Sequence, residues 1–344
     1  MERHLYRVPI NQKNINVTPE RITIDPGTHN ISLSKDFEYF IDNYSNINTP
    51  RTTTLYDIGG KLIKVLEDNA DLKNLIKEYD LPQYEFTTVP AADGTPLNAF
   101  MLKPSDFDPS KKYALFITTY GGPGVQTVLD AWDGFFGIFH SYLVQNYDII
   151  VAAVDNRGST GRGKAFASAN YKNLGTLEPQ DQISAANYWG RLPYIDETKM
   201  GIWGWSYGGY NTIQSMCKYG GPETFKFGIA IAPGGDFRLY DAIYTERYMS
   251  LPQKNEEGYN EGDPSNFVKN LGDNQNLLIV HGDMDDNAHF QMTVHIISAL
   301  QKAKKQFSLM IYPGGNHGLR GTGNRFVFSH LMRMMTNFIE DNIK

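Results

Sequence analysis

Cysteine is all but missing from this 344-residue chain: Cys217 stands alone. That excludes an internal disulfide and any multi-cysteine metal site. Long apolar runs are missing too; none approaches the roughly 18 residues that cross a bilayer as a helix. Met1-Glu2-Arg3-His4-Leu5-Tyr6 lacks the apolar centre of a signal peptide. Either the protein stays inside the cell, or Met1 is not its natural start. No Lys/Arg cluster is present, and the net charge is −6. Nucleic acid and anionic membranes are therefore poor partners. What is plentiful is aromatic: 21 Tyr and 19 Phe, which suit strands and apolar binding pockets.

The chain is long enough for a large domain and a smaller one. Its texture changes near residue 66. Before that point, Leu5–Val8, Ile22–Ile24, Ile31–Leu33, Glu38–Ile41 and Thr53–Tyr56 read as strands. Turn signals separate them: Asp25-Pro26-Gly27, Asn48-Thr49-Pro50 and Gly59-Gly60. An antiparallel sheet of four or so strands is expected over residues 1–66. So small a sheet has too little core to stand alone. It packs on the rest of the chain or belongs to something larger.

Residues 67–344 read as a second, α/β domain. A short helix opens within Glu67–Leu72 and ends near Tyr79, and a meander follows over 83–102. Apolar strands are expected at Tyr113–Thr118, Asp148–Val154, Met200–Trp203, Phe227–Ala232, Asn276–Val280 and Phe307–Tyr312. Helical stretches fall at Pro179–Trp189, Tyr207–Lys218, Phe290–Ala303 and Arg325–Asn342. The alternation predicts a mostly parallel sheet with helices on both faces. In such sheets the chemistry sits just past the C-terminal ends of the strands.

One such position carries Gly204-Trp205-Ser206-Tyr207-Gly208-Gly209. Gly-x-Ser-x-Gly between a strand and a helix is the setting of a nucleophile elbow, the sharp turn of an α/β-hydrolase. A chance match in a glycine-rich chain is the bland alternative; the flanking strand, the helix and the extra Gly209 weigh against it. A serine hydroxyl needs a histidine to take its proton and a carboxylate to orient that histidine. In this fold the chain order is Ser, then Asp or Glu, then His. His317 follows the last strand in a glycine-loosened loop and is the base candidate. Asp283, Asp285 and Asp286 follow the preceding strand, and position alone does not choose among them. His281 and His289 lie too close to these acids in sequence and are expected to be structural.

Three other features are set aside. Gly158-Ser159-Thr160-Gly161-Arg162-Gly163-Lys164 satisfies most of a phosphate-binding loop, but Ala165 stands where a Ser or Thr is required. Asp283-x-Asp285-x-Asn287 begins like a calcium loop, yet Ala288 and Val294 occupy the positions of its Gly and Glu. Cys217 sits among Ile213, Met216 and Tyr219, as a buried structural thiol would. No metal or cofactor is expected.

With these residues in place, the chain resembles the prolyl oligopeptidase family of serine peptidases, in its dipeptidyl-peptidase IV branch. The resemblance lies in Gly201-Ile202-Trp203-Gly204-Trp205-Ser206-Tyr207-Gly208-Gly209-Tyr210 and in Asp241-Ala242-Ile243-Tyr244-Thr245-Glu246-Arg247-Tyr248-Met249. It continues in His281-Gly282-x-x-Asp285-Asp286-Asn287-x-His289-Phe290. It implies an α/β-hydrolase fold preceded by the last strands of a β-propeller, and it picks Asp285 as the catalytic acid. It also implies that Tyr120 and the backbone N–H of Tyr207 form the oxyanion hole. Phe237, Tyr240 and Tyr244, with the Tyr207 ring, would line a pocket for proline, and Asn287 would bind the carbonyl before it. Tyr240 and Tyr244 are four apart, hence on one face if helical.

Two departures from the family pattern stand out. The acidic pair that grips a substrate's amino terminus lies in the propeller, and this chain matches only the propeller's end. It is therefore expected to be a fragment or truncated product, with weak or no dipeptidase activity of its own. Gly234 replaces an apolar branched residue beside the pocket and Phe237 replaces a tryptophan, so a wider pocket is expected. The implied function is cleavage of peptides after proline, less efficiently after alanine, with release of dipeptides. Prolyl tripeptidyl peptidase, broad acyl esterase and a catalytically dead interaction module are the rival readings. The resemblance further implies homodimers through the hydrolase domain and, from bacterial members, a periplasmic or secreted location.

Overall fold

Near the start of the chain, the short alternating stretches form two antiparallel sheets. This is seen in the computed structural model, which describes residues 1–9, 17–321 and 323–344. β1 (Tyr6–Arg7) pairs with β2 (Glu20–Arg21). β3 (Thr28–Leu33), β4 (Tyr39–Asn46), β5 (Thr49–Asp57) and β6 (Leu62–Glu67) form a four-stranded sheet in chain order. Alternation puts Phe40 inward, where it is buried and stacks on Tyr56 at 5.2 Å. Two expectations shift. The pairing near residue 22 falls on Glu20–Arg21 instead of Ile22–Ile24. The turn before β5 is Ile47–Asn48, and Thr49 and Pro50 open the strand, where a residue without an N–H is tolerated. β6 was not legible in sequence: Leu62-Ile63-Lys64-Val65-Leu66-Glu67 does not alternate, and all six of its residues are exposed.

These sheets and the helix Ala70–Glu78 belong to one compact unit, Met1–Tyr84 with Leu129–Tyr142. That unit takes in more of the chain than residues 1–66. A second unit comprises Glu85–Val128 and Leu143–Lys344.

The second unit is built on eight strands. β7 (Tyr84–Pro90) and β8 (Pro96–Leu102) are regular strands where only a meander was expected. β9 (Tyr113–Thr118), β10 (Ile149–Val154), β11 (Ile195–Trp205), β12 (Phe227–Ile231), β13 (Asn276–Gly282) and β14 (Ser308–Tyr312) follow. The spatial order is β14-β13-β12-β11-β9-β10-β8-β7. All pairs from β10 to β14 are parallel, and β8 runs antiparallel to β10. Every residue of β10 and β12 is buried, as strands covered on both faces must be.

Trp189 from the helix Leu177–Gly190 joins Ile213 and Met216 from the helix Tyr207–Cys217 in the core. They pack with Leu115, Ile117 and Ile202 of the sheet. Each such aliphatic side chain contributes about 1.5–3 kcal/mol by leaving water. The helix Tyr207–Cys217 is buried along its whole length, so its polar residues bond inward. Asn211 donates to the Thr119 hydroxyl at 3.0 Å and Gln214 to the Gly262 carbonyl at 2.9 Å. Cys217 lies in the same core, and burial pushes its thiol up to about 12, far from a reactive thiolate. The helix Phe136–Asn146 was not expected, because its apolar residues form no single stripe.

Candidate active site

β11 ends at Trp205, and the chain turns sharply through Ser206 into the helix Tyr207–Cys217. Ser206 sits at φ 61° and ψ −118°, a strained conformation for a residue with a Cβ. The glycines on either side are sterically required. A Cβ at Gly204 would lie 2.3 Å from the Thr119 carbonyl oxygen, and one at Gly208 only 2.1 Å from it. The Ser206 N–H donates to the Ile231 carbonyl at 2.8 Å, which ties the turn to the end of β12.

The loops after β13 and β14 bring the remaining polar groups to the same edge. His317 Nε2 lies 2.9 Å from Ser206 Oγ, and His317 Nδ1 lies 2.8 Å from Asp285 Oδ2. The two loops are fastened together. The Gly314 N–H donates to Asp283 Oδ1 at 2.6 Å, and the Met284 N–H donates to the Gly315 carbonyl at 3.0 Å. Trp205 Nε1 donates to the His317 carbonyl at 2.9 Å and holds the histidine loop against the elbow. Of the three acids that sequence position left open, Asp283 is spent on this fastening and Asp286 is exposed; only Asp285 is buried and faces His317.

Asp285 has more partners than sequence suggested. Its Oδ2 also meets His281 Nε2 at 2.9 Å, and its Oδ1 accepts from the Asn287 N–H at 2.9 Å. His281 is fully buried; its Nε2 faces both this carboxylate and the Ala288 carbonyl at 2.8 Å, so that nitrogen carries the hydrogen. Its Nδ1 then accepts from the Thr293 hydroxyl at 2.7 Å. His281 is thus structural, as expected, but it acts on the acid itself. Burial pushes the Asp285 carboxyl up, yet the bonds from His281, His317 and the Asn287 N–H outweigh burial. They hold it well below the usual carboxylate range.

A pocket opens beside Ser206. It is lined by Tyr120, Tyr207, Gly234, Tyr240, Tyr244 and Ala288 together with the serine. Tyr120 is half-buried; burial raises its hydroxyl pKa, and a hydrogen bond with Ser206 partly offsets the rise. As the first residue of its helix, Tyr207 has a backbone N–H with no partner inside the helix. Phe237 is buried behind the wall, its ring 6.1 Å from that of Tyr207 and 6.4 Å from that of Tyr240, and is not among the lining residues. Tyr240 and Tyr244 do not share a helix. Tyr240 ends a 3-10 turn, and the helix Ala242–Met249 starts only after Asp241, whose carboxylate accepts from the Tyr244 N–H at 2.8 Å. Their rings nonetheless meet edge to face at 5.4 Å. The Tyr240 hydroxyl donates to Asn287 Oδ1 at 2.6 Å, which joins the pocket to the acid loop.

Glu178 is the residue that sequence reading missed. It is fully buried on the helix Leu177–Gly190 and accepts from the Tyr207 hydroxyl at 2.8 Å. Asn170 Nδ2 donates to the same oxygen at 2.6 Å, and the N–H groups of Gly175 and Thr176 each donate to the other at 3.1 Å. Burial raises its pKa, against these four donors. Glu178→Ala would leave all four donors unpaired in the core. A loss of about 3 kcal/mol is expected, read as a lowered urea midpoint. Tyr207→Phe removes one donor and keeps the rest, and should cost about 1 kcal/mol by the same measurement.

Residues 135–344 match the prolyl oligopeptidase family, and residues 1–51 match the dipeptidyl peptidase IV N-terminal region. A protein of Emericella nidulans named "Probable dipeptidyl-aminopeptidase B" is 38% identical over 322 residues, covering 92% of this chain and 34% of the relative. The protein of the same name from Neurospora crassa is 36% identical over 341 residues, covering 98% and 36%. The crystal structure of Porphyromonas gingivalis dipeptidyl peptidase 4 superposes with a TM-score of 0.91 at 37% identity, over 99% of this chain and 46% of that one. The chain thus spans about a third of the length of the curated relatives it matches. Its α/β-hydrolase sheet and elbow and its match over residues 135–344 agree on one assignment: this chain belongs to the prolyl oligopeptidase family.

Proposed function

We propose that the protein is a serine peptidase of the dipeptidyl-peptidase type, cleaving after proline and less efficiently after alanine near the amino terminus of peptides. The observation that carries this reading is the unbroken chain Asp285–His317–Ser206 opening onto a tyrosine-walled pocket. Ser206 Oγ attacks the carbonyl carbon while His317 Nε2 takes its proton. Asp285 holds the Nδ1–H and stabilises the imidazolium that forms. The Tyr120 hydroxyl and the Tyr207 N–H receive the oxyanion; one such donor typically contributes about 3 kcal/mol to the transition state. His317 then protonates the leaving amine, and water releases the acyl group by the same route in reverse. The pocket receives the residue on the acyl side of the cut bond. Proline suits it because the ring is compact and apolar and brings no N–H that would need a partner there. Asn287, tied to Tyr240, is placed to bind the preceding carbonyl.

No helix among the described residues is long and apolar enough to cross a membrane. Pairing of two copies through the hydrolase domain, and export to the periplasm or beyond, belong to the same reading and draw their support from the family resemblance.

The test begins with labelling by a fluorophosphonate probe, which should modify Ser206 alone. The probe-reactive protein is then given Gly-Pro, Gly-Ala and Ala-Ala-Pro anilides and p-nitrophenyl acetate. The expected result is a kcat/KM at least about tenfold higher for Gly-Pro than for Gly-Ala, in keeping with shape discrimination in an apolar pocket. Preference for Ala-Ala-Pro would move the reading to a tripeptidyl peptidase. Rapid ester cleavage with no proline preference would replace it with a broad acyl esterase. Failure to label Ser206 would overturn every enzymatic reading together.

A further inference from the structure

Tyr120 is placed by its neighbours in the chain. It lies in the loop that follows β9, between Thr119 and Gly121, and both neighbours are fastened to residues outside that loop. The Thr119 N–H donates to the Trp203 carbonyl of β11 at 2.9 Å, and its hydroxyl accepts from Asn211 Nδ2 at 3.0 Å. On the other side, Asn156 Nδ2 donates to the Gly121 carbonyl at 3.0 Å. Gly121 is the soft point: its φ is 75°, a conformation that glycine enters and leaves without steric penalty. A Cβ there would lie 2.5 Å from Asn211 Nδ2 and 2.6 Å from Asn156 Oδ1, so the turn is wedged between the two amides.

Sheet register brings Asn156 to this turn. β9 and β10 are parallel, their ladder ends with Ile117 opposite Ala152, and the same register carried forward sets Gly121 beside Asn156. Beyond the ladder a side-chain amide takes over from the backbone. The direction of its bonds is fixed by backbone carbonyls, which can only accept. Gln182 Nε2 donates to the Val154 carbonyl at 3.3 Å, which makes it also the donor to Asn156 Oδ1 at 3.0 Å. The Asn156 NH2 group then faces the carbonyls of Gly121 and Arg157, at 3.0 Å and 2.9 Å. Both amides are fully buried, so water does not compete for either. We infer that Asn156, oriented by Gln182, is a positioning residue for the reaction: it holds the Gly121 turn and so aims the Tyr120 hydroxyl at the oxyanion. The inference rests on the oxyanion role given to Tyr120 above. That hydroxyl already meets Ser206, and a displacement of about 1 Å in such a group costs about a hundredfold in rate.

The test is a double-substitution cycle read by the rate at which the fluorophosphonate probe labels Ser206. Ser206 Oγ bonds to phosphorus, fluoride leaves, the serine proton passes to His317, and the phosphoryl oxygen draws on the oxyanion donors. No proline preference is needed for this readout. Each rate is taken over the chains that label at completion, so a misfolded fraction does not count. Tyr120→Phe should slow labelling about a hundredfold, and Asn156→Ala about tenfold. In the Tyr120→Phe protein, adding Asn156→Ala should change the rate by less than about twofold, because the hydroxyl that Asn156 aims is gone. Slowing by the same factor in both backgrounds would give Asn156 a general structural role and overturn the inference, as would an unchanged rate for Asn156→Ala alone. If Tyr120→Phe labels as fast as the natural protein, the oxyanion reading falls and this inference falls with it. Should Asn156→Ala yield no labelled protein, Gln182→Met takes its place in the cycle, since it keeps the side-chain volume and frees the Asn156 amide. Slowing of at least about threefold that disappears with Tyr120→Phe then supports the inference, and slowing that persists, or none, overturns it.

Discussion

Ser206→Ala should lower turnover of a prolyl anilide by about a millionfold and leave the fold intact. The magnitude follows from removing the nucleophile of a triad that works as a unit. What remains is the oxyanion pair and the pocket, which still bind and polarise the substrate. The fold should survive because alanine and serine meet the same backbone demand at φ 61°, so the strain of the elbow is unchanged. The loss on the stability side is the serine's bonds to His317 and Tyr120, about 2 kcal/mol. Anilide turnover and the urea midpoint, measured on the same preparation, separate the two effects. Residual activity well above about one part in a million would mean that another group attacks the carbonyl, since without the serine only the roughly thousand- to ten-thousandfold acceleration over water from binding and oxyanion stabilisation remains.

The elbow was readable from the amino-acid order because sterics impose it: only glycine fits against the Thr119 carbonyl at 204 and 208. His317 was readable because it follows the last strand of the sheet. Asp285 was not separable from Asp283 and Asp286 by local reasoning, since all three lie in one short loop. Their fates are decided by a second loop, whose Gly314 N–H takes Asp283 and whose histidine takes Asp285. Glu178 gave no local signal. A carboxylate in the first turn of a helix reads as a solvated favourable charge, and its burial against Tyr207 exists only once the sheet has brought residues 178 and 207 together. Helical spacing likewise misled at Tyr240 and Tyr244, where a cap at Asp241 restarts the helix between them. Strand cores were placed well and their ends less well: β11 begins at Ile195 rather than Met200, on polar residues that carry no strand pattern.

Asp285→Asn should reduce kcat by about ten-thousandfold with little change in where the atoms sit. In the natural protein Oδ2 receives N–H groups from both His281 and His317. An amide has one oxygen to offer there. Placed to accept from the Asn287 N–H, as Oδ1 does, that oxygen leaves the NH2 group at the Oδ2 position, facing His317 Nδ1, and that nitrogen must become an acceptor, while the His281 N–H keeps the Ala288 carbonyl. The hydrogen then sits on Nε2, directed at Ser206, and the imidazole can no longer take the serine proton. The same substitution tests the electrostatics of the site. The Asp285 carboxyl is held well below its ordinary range in the fold, so it stabilises the native state above the unfolded value of about 3.9. That stabilisation is lost as pH falls from about 4 toward the folded value. Asp285→Asn has no such term. Urea midpoints measured from about pH 6 down to about pH 3 should therefore start apart, the natural protein higher, and converge below about pH 4. Parallel curves would mean that Asp285 is no more acidic in the fold than in the unfolded chain. Its bonds to the two histidines would then add no stability to its charged form.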